Sequence, residues 1–282
     1  MKRFLLIGQR RESVLDVLAA HPAIDLVGCV AISGSHLERA ALERGLPTFV
    51  YGARDKKSAI AAVESIAFDV LVSIGCPWKL PVIRWHQNWP DALMLNVHPS
   101  CLPRLRGAHP LNGALLFNEP FIGASVHFMD EEFDTGALLA QCCIERTDDL
   151  DLPLLYALSR LLEAKAMEAA LDALVANDFI MTGTPQQGKS SYYTRRAEDM
   201  QCESTSTSSD ELIRRVRAFG ISSQGCTVFL ADRAIVAFDA HRITNPFLYE
   251  QFREAKPGTI LLTCDRGYLV RTADGAIVYL KC

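Results

Sequence analysis

The strongest constraint on this chain is an alternation that runs through its first 74 residues. Short apolar runs at 4–7, 25–32, 48–51 and 69–74 are separated by stretches whose apolar residues recur every three to four positions, at 13–20, 36–44 and 56–66. Runs of four to eight residues suit buried strands, and the longer periodic stretches suit amphipathic helices. Strand, helix and strand in regular succession predict a mostly parallel sheet with helices on both faces, a Rossmann-like α/β fold. Ser35 is placed to cap the 36–44 helix and Gly45 to end it. The first turn, Gly8-Gln9-Arg10-Arg11-Glu12, lacks the G-x-G-x-x-G spacing that brings a backbone up to a pyrophosphate. No dinucleotide site is expected there.

Further along, strands are expected at 93–95, 124–129 and 138–144, and a helix at 108–118. Asp151 opens a long helix at 152–176, with Leu154, Leu155, Leu158, Leu161, Leu162, Met167, Ala170, Leu171 and Leu174 on one expected apolar face. From 182 to 210 the composition turns to Gly, Pro, Gln, Ser and Thr, and Ser204-Thr205-Ser206-Thr207-Ser208-Ser209 reads as a linker. Beyond it Asp210 is read as the cap of a helix at 211–219. Short strand-like runs follow at 225–230, 234–240, 259–264, 267–271 and 276–280. That rhythm predicts a small β-rich, OB-like domain. The expected division is a catalytic domain at 1–185, a linker at 186–209 and the β-rich domain at 210–282.

The formal net charge of −4 argues against a dominant nucleic-acid surface, which needs clustered Lys and Arg. The nine cysteines are scattered with no C-x-x-C pair, and Met1-Lys2-Arg3 leads straight into a strand-like run rather than a signal peptide. Reduced thiols in a cytoplasmic setting are expected, with no metal site. No apolar run approaches the roughly 20 residues of a membrane span.

Chemistry concentrates between Asn96 and Asp134. The run is Asn96-Val97-His98-Pro99-Ser100-Cys101-Leu102-Pro103-Arg104-Leu105-Arg106-Gly107, with Phe133-Asp134-Thr135-Gly136 downstream. Residues two apart on a strand point the same way, so an amide and an imidazole project together where the strand opens into a Pro-stiffened loop. Asn96 can donate to a developing oxyanion, and His98 can donate or carry a proton. Asp134 can orient the imidazole or take a proton through water. A strand-end His and an Asp-Thr-Gly turn are also common structural furniture, and spacing alone favours that plainer reading.

The run Asn-x-His-x-Ser-x-Leu-Pro-x-x-Arg-Gly followed by Asp-Thr-Gly resembles the signature of the 10-formyltetrahydrofolate-dependent formyltransferases. That family includes methionyl-tRNA formyltransferase, the glycinamide ribonucleotide transformylases and the sugar N-formyltransferases. The resemblance implies catalytic roles for Asn96, His98 and Asp134 and a folate co-substrate, 10-formyltetrahydrofolate. By position it implies a pteridine pocket at Trp78, Lys79 and Leu80, closed by the loop Asp130, Glu131, Glu132, Phe133 and Asp134. The plain reading of Trp78 is packing on the sheet, and that of the acidic turn is exposure to solvent. Crowded carboxylates there are expected to raise the pKa of Asp134.

Arg106, Tyr193 and Arg196 are candidates to hold the acceptor, the last two within Tyr192-Tyr193-Thr194-Arg195-Arg196. The plain readings are a loop-bracing ion pair for Arg106 and side chains that tack the linker down for Tyr193 and Arg196. Residues 31–47 hold only Arg39 and Arg44 as basic residues, without the basic run of the tRNA enzymes. The expected acceptor is therefore a small-molecule amine, foremost a nucleotide-linked amino sugar. Hydroxyornithine and then methionyl-tRNA are the alternatives. A folate- or sugar-nucleotide-binding protein is the non-enzyme alternative, and a homodimer is compatible with either.

Overall fold

Five runs of mainly apolar residues form the strands of one sheet in the computed structural model, which describes every residue but Arg11. They are β1 (Lys2–Gly8), β2 (Ile24–Ile32), β3 (Thr48–Tyr51), β4 (Val70–Ile74) and β5 (Leu93–His98), all parallel to one another. β6 (Phe121–Phe128) pairs with β5 in the antiparallel sense, and β7 (Leu138–Glu145) is the outermost strand beyond it. The order is β3-β2-β1-β4-β5-β6-β7.

Alternation along the strands feeds two separate cores. Phe4 and Leu6 of β1 face a cluster that includes Val14, Leu15 and Leu18 of α1 (Glu12–Ala20), and Leu37, Ala40 and Ala41 of α2 (His36–Glu43). Leu5 and Ile7 face the opposite cluster, with Ala59, Ala62 and Val63 of α3 (Lys56–Ser65), and Val82 and Trp85 of α4 (Val82–Asn88). Each fully buried Leu, Ile or Phe contributes about 1.5–3 kcal/mol relative to exposure. The Ser35 hydroxyl accepts from Glu38 N at 3.1 Å, the capping expected of it.

Contacts divide the chain into two units that interleave along the sequence. The first is Met1–Gly107, Phe121–Ile144 and Ala157–Tyr192; the second is Ala108–Pro120, Glu145–Tyr156 and Tyr193–Cys282. The short helix α5 (Pro110–Leu116) belongs to the second unit. The long helix α6 (Leu152–Ala176) is capped by the Asp151 carboxylate, which accepts from Leu154 N at 2.9 Å. Leu162, Met167, Ala170, Leu171 and Leu174 bury against the first core as expected. Leu154 and Leu161 do not, being 48% and 62% exposed. The start of α6 carries more leucine than one face can bury, and these two fall off the buried stripe.

The second unit holds α7 (Ser209–Ala218) and two sheets. One has order β10 (Ala234–Ala237), β9 (Cys226–Phe229), β8 (Gln201–Glu203); the other has β11 (Asp239–Ile243), β14 (Ile277–Lys281), β13 (Gly267–Arg271), β12 (Ile260–Cys264). The four-stranded sheet is antiparallel throughout, whereas β8 runs parallel to β9. A short helix α8 (Pro246–Gln251) starts at Asn245, whose side chain accepts from Phe247 N. Leu212 and Val216 of α7 pack on Val228, Val270, Val278 and Leu280.

Two expectations are corrected here. The cap of α7 is Ser208, which accepts from Glu211 N, while Asp210 pairs with Arg242 instead. The single run read at 234–240 is broken at Phe238, whose N–H bonds Lys281 O, so that its two halves join different sheets.

The cysteines depart from expectation as well. Cys101 and Cys143 form a disulfide across 42 residues of sequence, with Cα atoms 6.0 Å apart. The loop after β5 and the outer strand β7 bring them together across β6. Gly123 of β6 makes the room, since a Cβ there would lie 2.5 Å from Cys101 Sγ and 2.8 Å from Cys143 Sγ. Scatter along the sequence hides this juxtaposition, which only sheet order creates. Among the described residues no helix is long and apolar enough to cross a membrane, and no group of His, Cys, Asp and Glu side chains could hold a metal ion.

Candidate active site

The site is built on the antiparallel pairing of β5 with β6. In that register Asn96 stands opposite His127, and His98 opposite Ser125. Directly opposed residues bring their side chains within reach of one another. Four polar side chains thus share one patch of an otherwise apolar sheet.

Asp134 joins them from the turn after β6 and is the hub. Its Oδ1 accepts from Asn96 Nδ2 at 3.2 Å and lies 3.3 Å from His98 Nδ1, while its Oδ2 accepts from Gly107 N at 2.8 Å. His98 and Asp134 are 5% and 8% exposed, so these contacts act in a largely water-free setting. His98 Nε2 faces Leu105 O at 2.9 Å. Both nitrogens of the His98 ring therefore look at oxygen acceptors, and the doubly protonated ring satisfies both.

His127, also buried, has Nδ1 2.8 Å from Phe128 O and Nε2 3.0 Å from Asn96 Nδ2. A carbonyl can only accept, so Nδ1 carries the proton and Nε2 accepts from the Asn96 amide. That fixes which way the Asn96 amide is turned. Asn96 Nδ2 then points one proton at His127 and the other at Asp134.

Burial alone would push the Asp134 carboxyl up. The charge of His98 and the Gly107 N–H outweigh burial and hold it at about 2. This reverses the expectation that the acidic turn raises it. Asp130, Glu131 and Glu132 are exposed to water. Asp130 accepts instead from Glu132 N at 3.2 Å and Thr135 Oγ1 at 2.5 Å, a self-contained turn.

The loop between His98 and Gly107 is clamped from β6 and β7. Ser125 Oγ donates to Ser100 O at 2.6 Å and accepts from Leu102 N at 3.1 Å, and Gln141 Nε2 donates to Leu102 O at 2.8 Å. Ser100 Oγ closes the loop on Arg104 O at 2.7 Å. The Leu102–Pro103 peptide is cis.

The expected folate segment is divided by burial. Trp78 and Leu80 are buried in the second core, and the Trp78 indole N–H donates to Ala53 O at 2.8 Å. Lys79 is exposed, with Nζ 3.8 Å from Glu132 Oε1, and Phe133 is 48% exposed. Residues 78–80 and 130–133 are therefore neighbours. Arg106 gives Nε and Nη2 to Gln186 Oε1 at 3.3 and 2.8 Å.

Tyr193 and Arg196 belong to the second unit. The Tyr193 hydroxyl donates to Asp199 Oδ2 at 2.9 Å, and Arg196 N donates to the same oxygen at 2.9 Å.

Sequence reasoning missed His127 and Gln186. His127 carried a signal, because Ser125 and His127 are polar residues two apart in an apolar strand. Gln186 sits in a Pro-Gln-Gln-Gly stretch that carries none.

Residues 49–171 match the family model described as formyl transferase. That segment contains Asn96, His98, His127 and Asp134. Methionyl-tRNA formyltransferase of Thiobacillus denitrificans is 28% identical over 247 residues, covering 88% of this chain and 76% of its own. Among solved structures, the sugar 3N-formyl transferase WlaRD has a TM-score of 0.70 at 16% identity, over 100% of this chain and 97% of that one. HypX from Aquifex aeolicus has a TM-score of 0.70 at 19% identity over 99% of this chain. This chain spans only 45% of the HypX chain. The structural likenesses speak for the fold, and the segment that resembles the formyl transferase model holds the polar cluster.

Proposed function

We propose that this chain transfers a formyl group from 10-formyltetrahydrofolate to the amine of a small acceptor, with a nucleotide-linked amino sugar foremost. The observation that carries this is the cluster of buried His98, His127 and Asp134 with half-buried Asn96 at the carboxyl end of β5, within the matched segment. Ligands of open α/β sheets bind outside the carboxyl ends of the strands.

The residues present suit a folate. Trp78 and Leu80 form an apolar floor, while Lys79 and Phe133 stay exposed beside it, a setting for a flat heterocycle with an anionic tail. Residues 78–80 and 130–133 would hold it. The bound molecule supplies the formyl carbon.

Asn96 and His98 supply the donors for the oxygen on which charge develops. The 3.2 Å bond from Asn96 to Asp134 is the longer of its two, and is the one a substrate oxygen can take over. Held at about 2, Asp134 is ionised at any working pH and is a weak base. Its part is to hold the protonated His98 ring in place and to orient a water that would take the proton from the attacking amine and return it to the folate nitrogen as that nitrogen's bond to the formyl carbon breaks. Arg106 is the acceptor-side cation.

The sugar acceptor draws support from WlaRD and from the N-formyltransferase of Helicobacter canadensis, described in complex with folinic acid and dTDP-3-aminofucose, which has a TM-score of 0.70 at 14% identity. A second reading, methionyl-tRNA as acceptor, draws support from the Thiobacillus relative. Against it stand the net charge of −4 and the lack of a basic run at 31–47.

The test is a panel of single acceptors with 10-formyltetrahydrofolate: dTDP- and UDP-linked amino sugars, hydroxyornithine and charged methionyl-tRNA. Release of tetrahydrofolate with an amino sugar is expected. Release only with charged tRNA selects the second reading, and release without any acceptor replaces both with hydrolysis.

A further inference from the structure

Gln186 lies outside the strands that supply the cluster, yet one side chain ties three parts of it. Its Oε1 accepts from Arg106 Nε and Nη2, and its Nε2 donates to the carbonyls of Asp134 and Gly136, each at 2.9 Å. Only one orientation of the amide serves all four contacts, since guanidinium donates and carbonyls accept.

The turn it holds has reason to be held. Asp134 has φ +60°, the left-handed region that a residue with a Cβ avoids. Gly136 packs so closely on β6 that a Cβ would lie 1.8 Å from Phe128 O.

Gln186 is itself on an anchored segment. Thr184 exchanges backbone bonds with Leu138 at 2.7 Å in both directions. Farther along, Ser191 O accepts from Arg106 N at 2.9 Å and Ser191 Oγ from Leu105 N at 2.8 Å. One short stretch thus grips both the turn that presents Asp134 and the loop that presents Arg106.

We propose that Gln186 is a positioning residue for the reaction: it locks the left-handed turn presenting Asp134 and couples that turn to Arg106, so that the acceptor's anionic group sets the carboxylate. This rests on the formyl-transfer reading above. Arg106 is the part that meets the acceptor, Asp134 is the part that meets the chemistry, and Gln186 is the link between them.

Two variants separate the halves. Gln186→Met keeps length and neutrality and loses all four bonds. Gln186→Glu keeps acceptors for Arg106 and loses the donors to the two carbonyls. Misplacement of a catalytic group by about 1 Å can cost on the order of 100-fold. In Gln186→Met, kcat is expected to fall roughly 10- to 100-fold and acceptor KM to rise. In Gln186→Glu, kcat is expected to fall similarly while acceptor KM stays near the wild-type value. Should Gln186→Met not fold, this split in Gln186→Glu decides alone.

A readout independent of turnover follows the Asp134 carboxyl by 13C NMR. Its midpoint is expected to move from about 2 towards the ordinary carboxylate value in Gln186→Met, as His98 and Gly107 N lose their alignment. That movement supports the positioning role even if the wild-type protein proves inactive with every acceptor, an outcome that would sink only the formyl-transfer reading. An unchanged midpoint, together with kcat within about twofold of wild type in either folded variant, overturns the inference.

Discussion

Asp134 and Asp274 are both held at about 2, and the two reach that value by opposite means. In each, burial works against ionisation and is outweighed. At Asp134 the counterweights are the His98 charge and one backbone N–H. At Asp274 they are the hydroxyls of Ser209 and Thr272, each at 2.6 Å, and Ser209 N at 3.1 Å. The first set includes an ionisable ring in contact with the carboxylate; the second holds only hydroxyls and a backbone N–H. Asp274 ties the β13–β14 turn to the start of α7, where a carboxylate also suits the helix dipole. A depressed carboxyl alone therefore says little about chemistry, whereas one set among ionisable side chains is a functional candidate.

The largest expected effect sharpens that contrast on the catalytic side. Asn96→Ala or His98→Ala should lower kcat by roughly 100- to 1000-fold, the cost of losing one oxyanion donor. Steady-state turnover with the identified acceptor measures this, and a near-normal rate would remove both residues from the chemistry. On the other side, Asp274→Ala should leave kcat within about twofold and cost ~1 kcal/mol, as lost helix-start contacts usually do. Urea unfolding of the whole chain reads the cost. A large fall in turnover at unchanged stability would break the comparison.

The pH dependence comes next. Both carboxyls have folded-state pKa values below their unfolded ones. Their stabilisation is fully present above about pH 4 and fades as pH falls through about 2. For the buried Asp134 this amounts to roughly 2 kcal/mol. The kcat profile should accordingly show no limb near pH 4 that belongs to Asp134. The smallest expected effect is in the acidic turn, where an Asp130→Asn/Glu131→Gln variant should leave the acid limb where it is. A displaced limb would restore those carboxylates as a control on Asp134.

Much of the first unit was legible because its signals are local. Apolar runs of four to eight residues became β1 to β4, and Ser35 and Asp151 cap helices by contacts within four residues. Asn96, His98 and Asp134 were legible through a compact motif, and the structure brings them within 3.3 Å of shared partners. What stayed hidden depends on long-range register. His127 meets Asn96 only through the β5–β6 pairing, and Gln186 reaches Asp134 from 52 residues away. Cys101 and Cys143 meet only because β6 lies between their segments. In the second unit, β8 is three residues long and lies in a stretch whose Ser and Thr content masks it.

The chain passes between its two units five times, at 107/108, 120/121, 144/145, 156/157 and 192/193. Neither unit is therefore a contiguous cassette. A truncation near Thr205 would strand α5 and residues 145–156 without the α7 that their unit supplies; Asn112 Nδ2, for one, would lose its bond to Ala218 O. Recombination that exchanges the carboxyl-terminal part between relatives must also carry residues 108–120 and 145–156, which belong to the same unit. For such a chain the heritable module is the interleaved pair.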